Sequence, residues 1–165
     1  MHTYIALLRA INVGGTGKLA MARLRQLCEE AGFQTVQSYI QSGNLVLQSS
    51  LTEAKVKAEL EALLEKELGK PYAVFVRTAD ELQQVLKSNP YEDCQVVFFD
   101  HKPKLGGVVA PDGEELSTGK REVYVHYPNG MGKSKLKAPG LKDGTGRNLN
   151  TLRKLLAMAE DTGKS

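Results

Sequence analysis

The alternation of apolar and polar positions divides the chain into two halves of different regularity. An apolar run over residues 4–8 predicts a buried strand. Ala20, Leu24, Leu27, Cys28 and Ala31 recur at helical spacing, and Gly32 stands where such a helix would end. Residues 33–40 and 45–48 predict two strands joined by the turn-forming set Gln41, Ser42, Gly43 and Asn44. Ser50 and Glu53 have capping-box spacing ahead of a helix carrying Val56, Leu60, Leu63 and Leu64, which Gly69 and Pro71 end. Residues 72–76 predict a further strand. Thr78 and Glu81 repeat the capping-box spacing before the stripe Leu82, Val85 and Leu86, and Asn89 with Pro90 stops that helix. The order is β-α-β-β-α-β and then a helix. This is the ferredoxin-like arrangement, an antiparallel sheet with helices on one face.

The second half is less periodic. Residues 96–99 and 122–127 predict strands, and Leu149, Leu152, Leu155, Leu156 and Ala159 predict a final helix that frays after Asp161. Residues 101–113, with two prolines and three glycines, predict a loop, as does the Gly- and Lys-rich stretch 128–147. The expected fold class is therefore α+β. A ferredoxin-like first half over 1–90 packs with a related, less regular second α+β half over 91–165, within a single compact unit of 165 residues.

Composition adds bounds. An apolar fraction of 41% and a charged fraction of 25% predict a packed globular core. No apolar run approaches the roughly 18–20 residues that span a bilayer, and the first ends at Arg9, too short for a secretory signal. Two cysteines are too few for a disulfide scaffold, and Cys28 falls among helical core positions. A cytoplasmic protein without membrane association is expected. The net charge of +3 is unevenly spread: between Ser117 and Lys154, nine Lys/Arg stand against two acids, whereas the remainder carries thirteen basic and seventeen acidic residues. Such a surplus attracts anions or decorates a solvated surface.

Several familiar motifs fail on their own requirements. Gly17 and Lys18 are followed by Leu19 where a P-loop needs Ser or Thr, and Asn12 holds the leading glycine's place. Gly132, Lys133 and Ser134 have the right tail, but Tyr127 replaces the leading glycine, and Pro139 with Gly140 interrupts the helix that must follow. Gly15, Gly17 and Ala20 fit the loose dinucleotide pattern, yet residues 36–40 lack the ribose-binding acid. His2, His101 and His126 are scattered, and no Cys or His pair has metal-ligand spacing. Ser42 with His126 is the best nucleophile and base combination, but a serine in a Gly-Asn turn more commonly serves the turn. No metal and no cofactor are expected.

Four polar segments remain: residues 9–18, 39–44, 127–135 and 144–151. In order they carry Arg9, Asn12, Gly14, Gly15 and Lys18; Ser42, Gly43 and Asn44; Tyr127, Lys133, Ser134 and Lys135; and Thr145, Arg147, Asn148, Asn150 and Thr151. With Ile11, Val13, Tyr39, Ile40, Gln41, Pro128 and Gly130, they form a series whose residues and order resemble the domain of unknown function 1697 family. The resemblance spans nearly the whole chain and implies a pair of related α+β halves. The chain departs from the family at Leu149, where a Trp is usual, and residues 101–113 lack a helix commonly present there.

Read from their chemistry, the glycines of the first segment let backbone N–H groups approach a ligand, and they lead into a helix start that favours anions. Arg9 and Lys18 flank that loop. Arg147 with Asn148, Asn150 and Thr151 makes a second such start, where Arg offers a forked grip on phosphate or carboxylate. All seventeen residues are therefore candidate ligand contacts. The same residue types also serve turns and caps: Asn148 and Thr151 suit the cap of the last helix, and Gly43 with Asn44 suits a hairpin. The leading expectation is a binder of a phosphate-bearing small molecule or nucleotide. Alternatives are an enzyme on a small anionic substrate using His126 or Tyr127 for proton transfer, a protein-interaction module, and an RNA-binding protein. Aromatic residues at 6% and the absence of Trp leave few stacking platforms for RNA.

Overall fold

The computed structural model describes residues 1–13 and 17–163, so Gly14 and Gly15 lie outside the described residues. The described part is a mixed α+β fold with two four-stranded antiparallel sheets and four α-helices. It divides into two compact units, residues 1–83 with 153–165 and residues 84–152. These divisions fall inside the third and fourth helices, whereas the sequence suggests halves meeting near residue 90.

The first unit runs β1 (His2–Leu8), α1 (Met21–Glu30), β2 (Gln34–Tyr39), β3 (Asn44–Ser49), α2 (Glu53–Leu68), β4 (Val74–Thr78) and the start of α3 (Ala79–Lys87). Its sheet has the order β2-β3-β1-β4, with every neighbour antiparallel. With the element order β-α-β-β-α-β, this makes the ferredoxin-like arrangement expected from the sequence. Strand alternation sends Tyr4, Ala6, Leu8, Leu45, Leu47, Val74 and Val76 to one face. There they pack with Leu24 and Cys28 of α1 and with Val56, Leu60 and Leu64 of α2. Each fully buried Leu or Val contributes about 1.5–3 kcal/mol of transfer free energy. Ile5, Leu7, Val46 and Phe75, on the opposite face, are buried too, which is why β1 reads as a continuous apolar run rather than an alternation.

Local signals act where the sequence places them, with one exception. Thr78 Oγ1 accepts from Glu81 N at 3.1 Å and Glu81 Oε1 accepts from Thr78 N at 2.9 Å, a complete capping box at α3. Gly69 ends α2 with its N–H on Glu65 O at 2.8 Å. The exception is the start of α2, where Thr52 and not Ser50 is the N-cap and accepts from Lys55 N at 3.4 Å. The preceding chain is turned instead by Ser49, whose Oγ accepts from Leu51 N at 3.0 Å.

The second unit runs β5 (Gln95–Phe98), β6 (Glu115–Thr118), β7 (Glu122–His126), β8 (Thr145–Asn148) and the start of α4 (Leu149–Gly163), with two short 3-10 turns, Met131–Lys133 and Pro139–Leu141. Its sheet order is β6-β7-β5-β8, again all antiparallel. Counted in sequence order within the unit, this is the order of the first sheet. The crossover helices are missing, and the chain between β5 and β6 and between β7 and β8 is irregular. Leu105, Leu136 and Leu141 from these segments, all half-buried, cover Val97, Val123 and Val125 of the sheet. A two-bond bridge between Val109 and Lys137 ties the two segments together. Strands β6 and β8 are absent from the sequence reading: residues 145–148 look like a polar loop, and pairing with β5 makes them a strand.

Candidate functional site

The candidate residues fall into two groups, one in each unit. In the first unit the 9–18 and 39–44 segments are joined through Asn12. Its Nδ2 donates to Leu19 O and to Gln41 O, both at 2.8 Å, and its Oδ1 accepts from Leu19 N at 2.8 Å. The 39–44 turn is closed from within: Asn44 Nδ2 donates to Tyr39 O at 3.1 Å and to Ser42 Oγ at 3.0 Å. Gly43 O accepts from Leu8 N at 2.9 Å, which holds the turn against the end of β1. Arg9 N donates to Ala73 O at 2.9 Å, and the Arg9 side chain is half-buried. Lys18 is exposed. Ala10, Asn12 and Ile40 all have positive φ, at 61°, 58° and 51°. For the β-branched Ile40 this is a strained backbone, held by the surrounding bonds. The geometry thus brings Asn12, Ser42, Gly43 and Asn44 together and gives each a structural contact.

In the second unit Thr145 and Arg147 face inward from β8. The Arg147 guanidinium donates through Nη1 to Thr145 Oγ1 at 2.7 Å and to Gly146 O at 2.9 Å, and burial pushes its pKa down to about 10. Asn148 caps α4, its Oδ1 accepting from Thr151 N at 2.8 Å. Thr151 is buried and Asn150 exposed. Ser134 Oγ donates to Glu114 Oε1 at 3.0 Å and accepts from Leu136 N at 3.1 Å, while Lys133 and Lys135 beside it are exposed.

A cleft of about 210 Å³ opens at the end of this sheet where β5 begins and β7 and β8 finish, lined by Asp93, Cys94, Gln95, Tyr127, Gly130, Met131 and Asn148. Two of the four polar segments meet in it, one through Tyr127 and Gly130 and the other through Asn148. Tyr127 is half-buried, and desolvation, with Glu114 nearby, raises its pKa, so the phenol stays protonated at neutral pH. It can donate a hydrogen bond but is a poor base. Cys94 is buried and donates through Sγ to Asn89 Oδ1 at 3.2 Å. Next to the cleft, His126 Nδ1 donates to Asp93 O, 2.9 Å away, and the ring stacks on Tyr91 with centroids 5.5 Å apart. In the first unit, burial raises the Cys28 thiol to about 12, which leaves it an inert core residue. A larger cleft of about 440 Å³ lies between residues 99–104 and Gly140 and Asp143, in segments that read from the sequence only as loop. The tight run His101, Lys102, Lys104 is the signal that could have marked it. No group of metal-ligating side chains and no helix long and apolar enough to cross a membrane occurs among the described residues.

Fold and site together define an α+β protein with two ferredoxin-like sheets, the second stripped of its crossover helices. The family described as "Protein of unknown function (DUF1697)" matches residues 1–124, and the chain belongs to that family. A solved structure of a conserved bacterial protein from Streptococcus pneumoniae superposes with a TM-score of 0.77 at 24% identity, covering 96% of this chain and 98% of that one. This likeness shows a shared fold. No curated protein matches the chain.

Proposed function

We propose that the protein binds a small phosphate-bearing ligand, with its anionic end in the cleft bounded by Tyr127, Gly130 and Asn148. The observation that carries this reading is the meeting of two polar segments there, at the N-terminal end of α4. The positive end of a helix dipole and its free N–H groups favour negative charge at such a place. Tyr127 supplies a hydroxyl donor and Asn148 an amide whose oxygen is engaged in the cap. Asp93 also lines the cleft and opposes an anion there, so the reading rests on the helix start, Tyr127 and Asn148; the exposed Lys133 and Lys135 follow Gly130 and Met131 in the chain. A volume of about 210 Å³ is below the roughly 300–1,000 Å³ usual for sites that enclose a drug-sized molecule, so the cleft suits a phosphate and its neighbouring sugar or carbon skeleton, with the rest of a nucleotide outside. RNA laid across the first sheet is disfavoured by the burial of both its faces.

The test is thermal unfolding against a panel of phosphates, nucleotides, carboxylates and short RNA at low and high salt. A ligand at a hundred times its dissociation constant adds about 2.7 kcal/mol, a rise of roughly 5–10 °C for a chain of this size. Asn148→Asp keeps the cap but adds a second carboxylate to a cleft that already holds Asp93, so it is expected to abolish the shift while leaving the unliganded melting temperature within about 2 °C. A shift that persists in this variant refutes the site. A flat panel favours the interaction-module alternative, and a shift from RNA that vanishes with salt favours a polyanion surface.

A further inference from the structure

The two irregular segments that replace crossover helices in the second unit enclose a second, larger cleft. It lies past the C-terminal end of β5 and is lined by Phe99, His101, Lys102, Pro103, Lys104, Gly140 and Asp143. The first cleft lies at the N-terminal end of the same four-residue strand, so about 13 Å of strand separates them. Phe99 and Pro103 are buried, and Phe99 belongs to the core of this unit. His101, Lys102 and Lys104 are exposed. The cleft therefore has an apolar, aromatic floor and a cationic rim, with Asp143 offsetting one of the two lysine charges. Its walls are tied to the core and to each other. Leu105 and Leu141, next to the lining residues, are anchored in the core, and the Val109–Lys137 bridge pins the two segments. Gly140 packs so closely that an added Cβ would lie 2.4 Å from Lys104 O. A volume of about 440 Å³ falls inside the range of small-molecule sites. A site whose walls are already ordered spares a ligand part of the cost of ordering them.

We propose that this cleft is a separate binding site for a phosphate monoester with an aromatic or compact apolar body. The phosphate sits on Lys102 and Lys104, and the body lies against Phe99 and Pro103. The lysine ammonium groups form charge-assisted hydrogen bonds to phosphate oxygens, and burial of the apolar body supplies the remaining affinity.

Calorimetric titration of the intact protein with phenyl phosphate and with inorganic phosphate tests it, with backbone amide shifts followed by NMR. Phenyl phosphate is expected to bind at least about threefold more tightly than inorganic phosphate because only it places a ring on the floor. Amide shifts are expected at residues 99–105 and 139–143. Lys102→Gln with Lys104→Gln, at exposed positions, is expected to weaken phenyl phosphate about tenfold. Asn148→Asp, at the other cleft, should leave the phenyl phosphate-induced shifts at residues 99–105 and 139–143 in place. The proposal is overturned if phenyl phosphate does not bind, if the lysine double variant binds it as tightly, or if the shifts are confined to residues 93–95 and 127–131 and spare residues 99–105 and 139–143. Failure at one cleft leaves the other measurable, because each has its own variant and its own set of shifted amides.

Discussion

Replacing Asn12 separates a structural role from a ligand contact. In Asn12→Ala three side-chain hydrogen bonds disappear, two to Leu19 and one to Gln41. The two to Leu19 are partly buried and are worth about 1 kcal/mol each; the bond to Gln41 is exposed and is worth about 0.5 kcal/mol. The backbone at Asn12 has φ of 58°, a conformation that asparagine tolerates and that costs alanine about 1 kcal/mol more. The expected loss is about 3.5 kcal/mol, or a fall in melting temperature of about 7–14 °C. Asn12→Gly loses the same bonds without the strain and is expected to cost about 2.5 kcal/mol. Asn12→Asp keeps only the bond from Leu19 N and turns a carboxylate toward the carbonyls of Leu19 and Gln41, so it should be at least as damaging as alanine. Thermal unfolding followed by circular dichroism gives the magnitudes, and amide shifts at residues 39–44 report whether the turn detaches. A loss below about 1 kcal/mol in Asn12→Ala, or a glycine variant less stable than the alanine one, would refute this account of the residue.

Two further changes probe one site in each unit. Gly43 has φ of 78°, and a Cβ there would lie 2.9 Å from Leu8 Cβ and 3.3 Å from Ile11 Cβ; Gly43→Ala is expected to cost about 2–4 kcal/mol in urea unfolding, against about 1 kcal/mol for Gly32→Ala, where φ is 99° and nothing lies within 4 Å. At Glu114, burial raises the pKa, but hydrogen bonds from its own N–H, from Asp112 N and from Ser134 outweigh it and hold the carboxyl below its ordinary value of 4.5. A folded-state pKa below the unfolded one stabilises the fold above about pH 4.5 and is lost as pH falls through the folded value. Ser134→Ala should therefore lower stability at pH 6 and flatten its decline between pH 5 and 3, measured by urea unfolding across that range.

The first unit was legible because its signals are local. The 3.6-residue spacing in α1 and α2, the Thr78–Glu81 box and the Gly69 stop each act within a few residues of themselves. Ser50 misled because Thr52 competes for the same helix start and wins. Strand β8 was hidden for a different reason: its inward residues are Thr145 and Arg147, neither apolar, and its strand character comes from pairing with β5 some fifty residues earlier. The candidate site divides in the same way. That Asn148 suits a cap could be read from its place before an apolar stripe. That Asn12 holds a turn twenty-nine residues away could not, and neither could the meeting of residues 93–95 with Tyr127 and Asn148.

The shared strand order gives a physical reason to look for function in the second unit. In the first, α1 and α2 lay five fully buried side chains on the sheet, Leu24, Cys28, Val56, Leu60 and Leu64. In the second, the equivalent connections lay down only three half-buried leucines and are held by a backbone bridge and close glycine packing. A helix covers a sheet continuously, whereas irregular chain covers it in patches and leaves polar groups and lysines along the gaps. The larger cleft, past the C-terminal end of β5, is such a gap. The first unit also has a hollow, of about 230 Å³ around Met1, Gly32 and Ser50, but none of the four polar segments reaches it. Cover lost from the second sheet is thus the same structural fact as the larger cleft gained beside Lys102 and Lys104, and a crossover helix built back over residues 99–113 would stabilise that sheet by closing it.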